Sequence, residues 1–165
     1  MATIPFDVND SELRDRFLRD LLPDALRALD GSRAPRWGKM TAQQMVEHLA
    51  WTFEVSTGRV RVECPIAEGK RERMKAFLYH DRPSPPGFMN PALAAGLPSL
   101  RHDGMPEAWS ALRIEVDRFL QHARVAPDAV HTHPVFGPIG VEEWGRTHFK
   151  HGYHHLLQFG LIESE

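Results

Sequence analysis

Apolar residues recur at intervals of three and four along four stretches of this chain, which is the spacing that places side chains on one face of an α-helix. The first stretch predicts a helix from about Asp10 to Leu29, with Asn9 or Asp10 as its N-cap and Gly31 as its stop. Proline disrupts a helix interior, so Pro23 is a point where this helix is expected to kink or split.

The second predicted helix begins at Thr41 and continues to about Gly58, because Thr41 and Gln44 have the spacing of a capping box. Two further helices are predicted from the same periodicity, one over about Glu107–Ala123 and one that starts near Gly140 or Val141 and ends at Gly160. Four helices with little strand signal predict an all-α fold, and specifically a helical bundle.

Between the second and third helices, from Cys64 to Met105, the chain is rich in proline. Proline ends helices, so only a short helix around Arg71–Phe77 and another around Pro91–Ala95 are expected there. A connection of this length is typical of a functional cover or a packing arm. The segment His131–Pro138 is predicted to be an irregular approach to the fourth helix.

Composition narrows the class of protein. A chain of 165 residues with 42% hydrophobic content is expected to form a single domain over residues 1–165. Its 20 basic and 22 acidic residues are scattered, which argues against a nucleic-acid partner. We expect no membrane segment and a soluble cytoplasmic protein, because no run of apolar residues is long enough to span a bilayer. Cys64 is the only cysteine, and it is interpreted as a small hydrophobe.

Candidate chemistry is concentrated near the end of the chain, where four of the ten histidines lie within residues 148–155. Three of them, His148, His151 and His155, occupy positions on the apolar stripe of the fourth helix, and a buried imidazole must satisfy two ring nitrogens. A bound divalent cation would satisfy them. His151 and His155 are four residues apart, so their side chains lie on adjacent turns and can converge on one ion.

A third ligand is predicted on the second helix, where His48 lies on the apolar stripe. Three neutral histidines around one divalent ion leave a coordination position for water, which is the pattern of a reactive site. Histidine ligation suits zinc, nickel, copper or iron; zinc is the first expectation and nickel the second.

Other polar residues have open roles at this stage. His154 can replace His155 as the ligand or support it from the flank, and His148 can line the pocket, carry a proton or simply pack in the core. His133 lies either in a loop over the metal or in a surface turn. Gln44 and Glu47 can support a ligand imidazole from outside the metal site, and Glu47 can instead face solvent. Gln158 can bond either the backbone or a ligand.

Three motifs in combination resemble the DinB/YfiT-like superfamily, and the resemblance spans nearly the whole chain. The motifs are Trp37-Gly-Lys-Met-Thr-Ala-Gln-Gln-Met-Val-Glu-His48-Leu, then His133-Pro-Val-Phe-Gly-Pro, and finally Trp144 followed by His151-Gly-Tyr-His154-His155-Leu-Leu-Gln158-Phe. The resemblance implies an antiparallel four-helix bundle, often a homodimer, with a divalent metal held by His48, His151 and His155. The long proline-rich connection between helices two and three departs from the family pattern.

The resemblance also implies a function. Characterised relatives are metal-dependent transferases or isomerases that use low-molecular-weight thiols such as bacillithiol or mycothiol, and some resemble amidases. We therefore expect a metal-dependent enzyme that acts on a small-molecule substrate, as a thiol S-transferase or a hydrolase. The alternative is a non-catalytic, metal-stabilised dimeric binding or scaffold protein, which would need a closed site with a fourth protein ligand.

Overall fold

Helices dominate the computed structural model, which describes residues 2–87, 93 and 95–163. The helices are α1 (Ser11–Arg16), α2 (Leu22–Leu26), α3 (Ala42–Ser56), α4 (Glu68–Lys75), α5 (Met105–Val125) and α6 (Val141–Gln158). A π-helical turn, Phe17–Leu21, joins α1 to α2, and a 3-10 turn, Ala76–Tyr79, follows α4. The strands are β1 (Ala2–Thr3), β2 (Val130–His133), β3 (Gly137–Gly140) and β4 (Ile162–Glu163).

The first predicted helix is present but divided. Asp10 is its N-cap, because the Asp10 side chain accepts a hydrogen bond from the backbone N–H of Leu13. Pro23 lies in the first turn of α2 and has no N–H to donate to the preceding turn, and the π-helical turn stands directly before α2. The helix ends at Leu26 rather than at Leu29.

The later helices follow the predicted pattern closely. Thr41 and Gln44 form the complete capping box at the start of α3. The expected short helix near Arg71–Phe77 corresponds to α4 and the 3-10 turn after it. The predicted helix around Pro91–Ala95 falls almost entirely outside the described residues.

The expectation of an irregular segment over His131–Pro138 is wrong. β2 and β3 form an antiparallel hairpin in which His133 is paired with Gly137 and His131 with Ile139. Gly137 has a φ of 71°, a conformation that favours glycine and closes the tight connection. β1 and β4 form a second, parallel pair. The described part of the chain is therefore mostly helical with two small sheets, rather than all-α.

Helix α6 carries the predicted ligands His151 and His155. It packs against α1, α2 and α3, and α3 also packs along α5. Its apolar face includes Trp144, Phe149 and Tyr153, all of which are almost fully buried. The ring of Phe17, in the π-helical turn, meets Phe149 edge-on at a centroid distance of 4.9 Å. Within the described part of the chain, no helix combines the length and the hydropathy of a membrane span.

Gly152 marks the closest approach between α6 and the first helix, and replacing it tests this packing. A Cβ at Gly152 would lie 2.9 Å from Cε1 of Phe17, which is fully buried and cannot move aside. Overpacking of this kind typically costs about 1–3 kcal/mol. We expect Gly152→Ala to lower the free energy of unfolding in urea by about 1 kcal/mol or more, despite the better helix propensity of alanine.

The matched control is Gly69→Ala in α4, where an added Cβ meets nothing within 4 Å. Alanine is favoured over glycine in a helix by about 1 kcal/mol, so this variant should be at least as stable as the parent protein. Equal stability of the two variants would contradict the close packing at Gly152.

Candidate metal centre

Three imidazole nitrogens converge where α3 packs against α6. The Nε2 atom of His151 lies 2.9 Å from Nε2 of His48 and 3.0 Å from Nε2 of His155. His151 and His155 are on adjacent turns of α6, and His48 reaches them from α3. The structure thus brings together the three residues that the sequence predicts as metal ligands, and they form a group that could hold a metal ion.

Burial keeps these imidazoles neutral. It lowers the pKa of His48 to about 4, with a further contribution from the nearby His154. Burial, together with the neighbouring histidines, also places the pKa of His151 and of His155 well below the usual value for histidine. A neutral imidazole offers a lone pair, so the cluster is in the protonation state that a metal requires at neutral pH.

Gln158 fixes which nitrogen of His155 carries that lone pair. The Nε2 group of Gln158 donates to the backbone carbonyl of Trp37 at 2.9 Å, which turns Oε1 of the same amide toward Nδ1 of His155 at 2.7 Å. His155 Nδ1–H therefore donates to this oxygen, and the unprotonated Nε2 faces the cluster. A second hydrogen-bonding partner of this kind is typical of metal-binding histidines.

The donor set fits a divalent cation. A hydrogen on Nε2 of His151 can make only one good hydrogen bond, although two other Nε2 atoms lie within 3.0 Å of it. Two nitrogens bound to one zinc ion at about 2.0–2.1 Å are separated by about 2.9–3.4 Å at angles between octahedral and tetrahedral. The two separations from His151 lie at the lower end of that range, and the three ligand atoms lie within 4.8 Å of one another, so one cation could accept all three lone pairs.

The three histidines adjoin a cavity of about 600 Å³. Apolar side chains form much of its wall, including Met40, Phe77, Leu78 and Phe136. Lys39 and Lys150 also line it. A concave, mostly apolar space with a few polar groups is the usual form of a small-molecule site.

Two of the remaining histidines on α6 do not join the cluster. His148 is buried in the core, where its Nε2 pairs with Oγ of Ser56 at 2.8 Å and its ring stacks on Phe53 at a centroid distance of 3.8 Å. His154 lines the cavity, but its Nδ1 pairs with the carbonyl of Ser84 at 3.3 Å. His155, and not His154, is the residue that faces His48 and His151.

His133 is in the cavity wall, at the end of β2, rather than in a surface turn. Its Nδ1 accepts hydrogen bonds from the backbone N–H groups of Val135 and Phe136, at 3.0 and 3.3 Å. The ring is stacked against Phe136 and only 7% exposed. Burial lowers the pKa of His133 to about 3.

The acidic and amide residues before His48 have structural roles. The carboxylate of Glu47 accepts hydrogen bonds from the backbone N–H groups of Arg101 and His102, and so it holds that loop against α3. Burial opposes ionisation of Glu47, but these hydrogen bonds and one from Gln43 outweigh it and lower its pKa. Gln44 belongs to the capping box. The amide that hydrogen-bonds to an imidazole of the cluster is therefore that of Gln158.

Lys150 secures another wall of the cavity. Its side chain is 2% exposed, and Nζ donates to the carbonyl oxygens of His80 and Arg82 while lying 4.2 Å from the ring centre of Phe77. Burial lowers the pKa of Lys150 to about 8. This contact ties the segment after the 3-10 turn to α6.

Cys64 does not line the cavity, and its Sγ contacts the carbonyl of Ile66.

The fold and the cluster together define a helical protein with a three-histidine group, able to hold a metal ion, beside a mostly apolar cavity. A sequence model of the DinB superfamily matches residues 13–159, and the chain belongs to the DinB superfamily. A search of curated proteins gave no match. A search of solved structures also gave none.

Proposed function

We propose that this protein is a metal-dependent enzyme in which His48, His151 and His155 hold one divalent cation, with zinc as the first candidate and nickel as the second. The observation that carries the proposal is the convergence of three neutral Nε2 atoms beside a cavity of about 600 Å³. Membership of the DinB superfamily is consistent with a metal-dependent protein.

The chemistry supplied by the cation, when bound, is Lewis acidity, which lowers the pKa of a coordinated water or thiol. The chain contributes the geometry. Gln158 orients the lone pair of His155, and the apolar walls restrict water around a substrate. Among the described residues, no aspartate or glutamate lines the cavity, so the chain offers no carboxylate there as a general base.

We propose thiol S-transfer or hydrolysis as the reaction class, with a small molecule as substrate and a low-molecular-weight thiol as the first co-substrate to test. Both reactions need an activated sulfur or oxygen nucleophile, and both fit a site whose metal-binding groups are neutral. The size of the cavity is consistent with a substrate of this kind.

We also propose that α1–α2, α3, α5 and α6 make up one antiparallel four-helix bundle domain, with the proline-rich segment between α3 and α5 as a long connection. The packing of α3 on both α5 and α6 supports this arrangement. A cytoplasmic homodimer remains our proposal for the assembled protein, and sedimentation velocity would measure its oligomeric state.

The alternative, a metal-stabilised dimeric scaffold without catalysis, requires a closed site with four protein ligands. In the residues that the structure describes, the candidate metal group contains three histidines and no fourth ligand. Because these three histidines line the cavity, an enzyme is favoured over a scaffold.

Elemental analysis of untagged protein, purified without added metal, tests the proposal. We expect about one zinc or nickel ion per chain, or uptake of one on addition of zinc or nickel. Thiol-transfer and hydrolysis substrates would then be screened with metal-loaded and with chelated protein, and turnover should disappear on chelation and return when metal is restored. Protein that takes up neither metal, or turnover that chelation does not affect, would contradict the proposal.

A further inference from the structure

The charged side chains that line the cavity have one sign. Among the described residues they are Lys39 and Lys150, and no carboxylate is part of the lining. Neither lysine is in an ion pair within 4.0 Å in the described parts of the chain. Asp81 acts on Lys150 only from beyond that distance. A cavity with this lining is electrostatically suited to an anion.

His133 adds a hydrogen-bond donor of fixed direction. Two backbone N–H groups, those of Val135 and Phe136, point at Nδ1, so this nitrogen carries the lone pair and the proton is on Nε2. Phe136 and Trp144 hold the ring, at centroid distances of 4.5 and 5.1 Å. Within the described residues no acceptor is paired with Nε2 of His133, although the side chain is 93% buried and lines the cavity.

Nε2 of His133 is not among the fully buried unpaired atoms of the described residues, so this N–H is accessible and free to donate to a water or to a ligand. The rest of the wall, including Met40, Phe77 and Phe136, suits a hydrocarbon or aromatic group. The site thus combines a donor, positive charge and apolar surface, and these are the features that recognise an organic acid.

We propose that the cavity binds a small organic carboxylate, with one carboxylate oxygen accepting a hydrogen bond from Nε2–H of His133 and the hydrocarbon part packing against Phe77 and Phe136. Lys39 and Lys150 supply the compensating positive charge. The proposal names the substrate class for the proposed enzyme and rests on that function for the reaction, whereas the binding preference is expected with and without metal.

The test compares phenylacetate with phenylacetamide, which differ in charge but little in shape. Titration of chelated protein, followed by amide chemical shifts, gives both dissociation constants. We expect phenylacetate to bind at least about tenfold more tightly, because a hydrogen bond to a charged acceptor is roughly twice as strong as one to a neutral acceptor. Equal affinities, or no binding of either probe, would overturn the proposal.

Two substitutions of His133 distinguish the acceptor role of Nδ1 from the donor role of Nε2. In His133→Asn, Oδ1 takes the place of Nδ1 and can still accept hydrogen bonds from the backbone N–H groups of Val135 and Phe136. The donor at the Nε2 position is lost. In His133→Gln, the amide N–H reaches the Nε2 position instead. The preference for phenylacetate should fall about tenfold in His133→Asn and be largely kept in His133→Gln. An unchanged preference in His133→Asn would overturn the assignment.

The charge contribution has its own control. Lys39 is exposed, so Lys39→Gln is expected to fold, and it should weaken phenylacetate binding a few-fold with no effect on phenylacetamide. Lys70→Gln, an exposed lysine of α4 outside the cavity, should change neither affinity. Equal effects of the two lysine substitutions would contradict a role for the charge of Lys39 in the cavity.

The result with zinc distinguishes this inference from the proposed function. A carboxylate preference in protein that takes up no metal would support the organic-acid site and contradict the metal-dependent enzyme. A preference that is present with zinc and absent after chelation would assign the carboxylate to the metal and overturn the role of His133.

Discussion

His155→Ala and His48→Ala will each abolish stoichiometric metal binding, while the circular dichroism spectrum of the protein remains helical. Each substitution removes one of the three nitrogens that lie 2.9–3.0 Å from a neighbour in the cluster. Loss of a partner outside the ligand shell typically reduces metal affinity by about 10–100-fold, so loss of a ligand should cost more than about 100-fold. Competition with a chromophoric chelator would measure the zinc affinity of each variant.

The matched control for this prediction is His154→Ala. His154 is on the same helix and lines the same cavity, but it does not belong to the three-histidine group. We expect a much smaller loss of affinity, since its nearest polar contact is the carbonyl of Ser84. An equal loss in His154→Ala would mean that the wrong histidine has been assigned, and retention of metal by both His48→Ala and His155→Ala would exclude the three-histidine site.

Acidification below about pH 6.5 will destabilise the metal-free protein steeply. The pKa of His133 is lowered to about 3 and that of His48 to about 4, and burial places the pKa of three other histidines well below the usual value: His148, His151 and His155. In this pH range the unfolded chain binds protons that the folded chain excludes, so the free energy of unfolding falls as pH falls. Each such histidine contributes about 1.4 kcal/mol per pH unit while it stays neutral in the folded state.

Urea unfolding between pH 7 and pH 4, with chelator present, measures this dependence. His148→Phe should reduce the slope by about the contribution of one histidine, because phenylalanine keeps the stacking on Phe53 and removes the titrating group. The substitution also leaves Ser56 without its partner, so the absolute stability is expected to fall. A slope that is the same in the parent protein and in His148→Phe would show that His148 is not kept neutral by folding.

Local rules were sufficient to predict most of the helical structure. The capping box of Thr41 and Gln44 and the N-cap of Asp10 depend on contacts within one turn, and both are present. The proximity of His151 and His155 follows from helix geometry alone. That His48 would meet them required only that the apolar stripes of two helices pack together.

Long-range contacts were not accessible from the periodicity of the sequence. The role of Gln158 depends on the carbonyl of Trp37, 121 residues away, which orients the amide toward His155. The donor on His133 depends on the hairpin that was expected to be irregular. The pairing of β1 with β4 joins two segments that are each only two residues long, which is too short for an alternating pattern to be recognised.

The side chain of Gln158 joins the segment at Trp37, which walls the cavity, to a nitrogen donor of the cluster. A molecule that displaces Trp37 on entering the cavity would free the amide of Gln158 and weaken its hold on the His155 ring. Binding of a molecule in the cavity and binding of the cation by the cluster are then thermodynamically coupled. By linkage, whatever factor the entering molecule applies to metal affinity, the metal must apply to the affinity of that molecule.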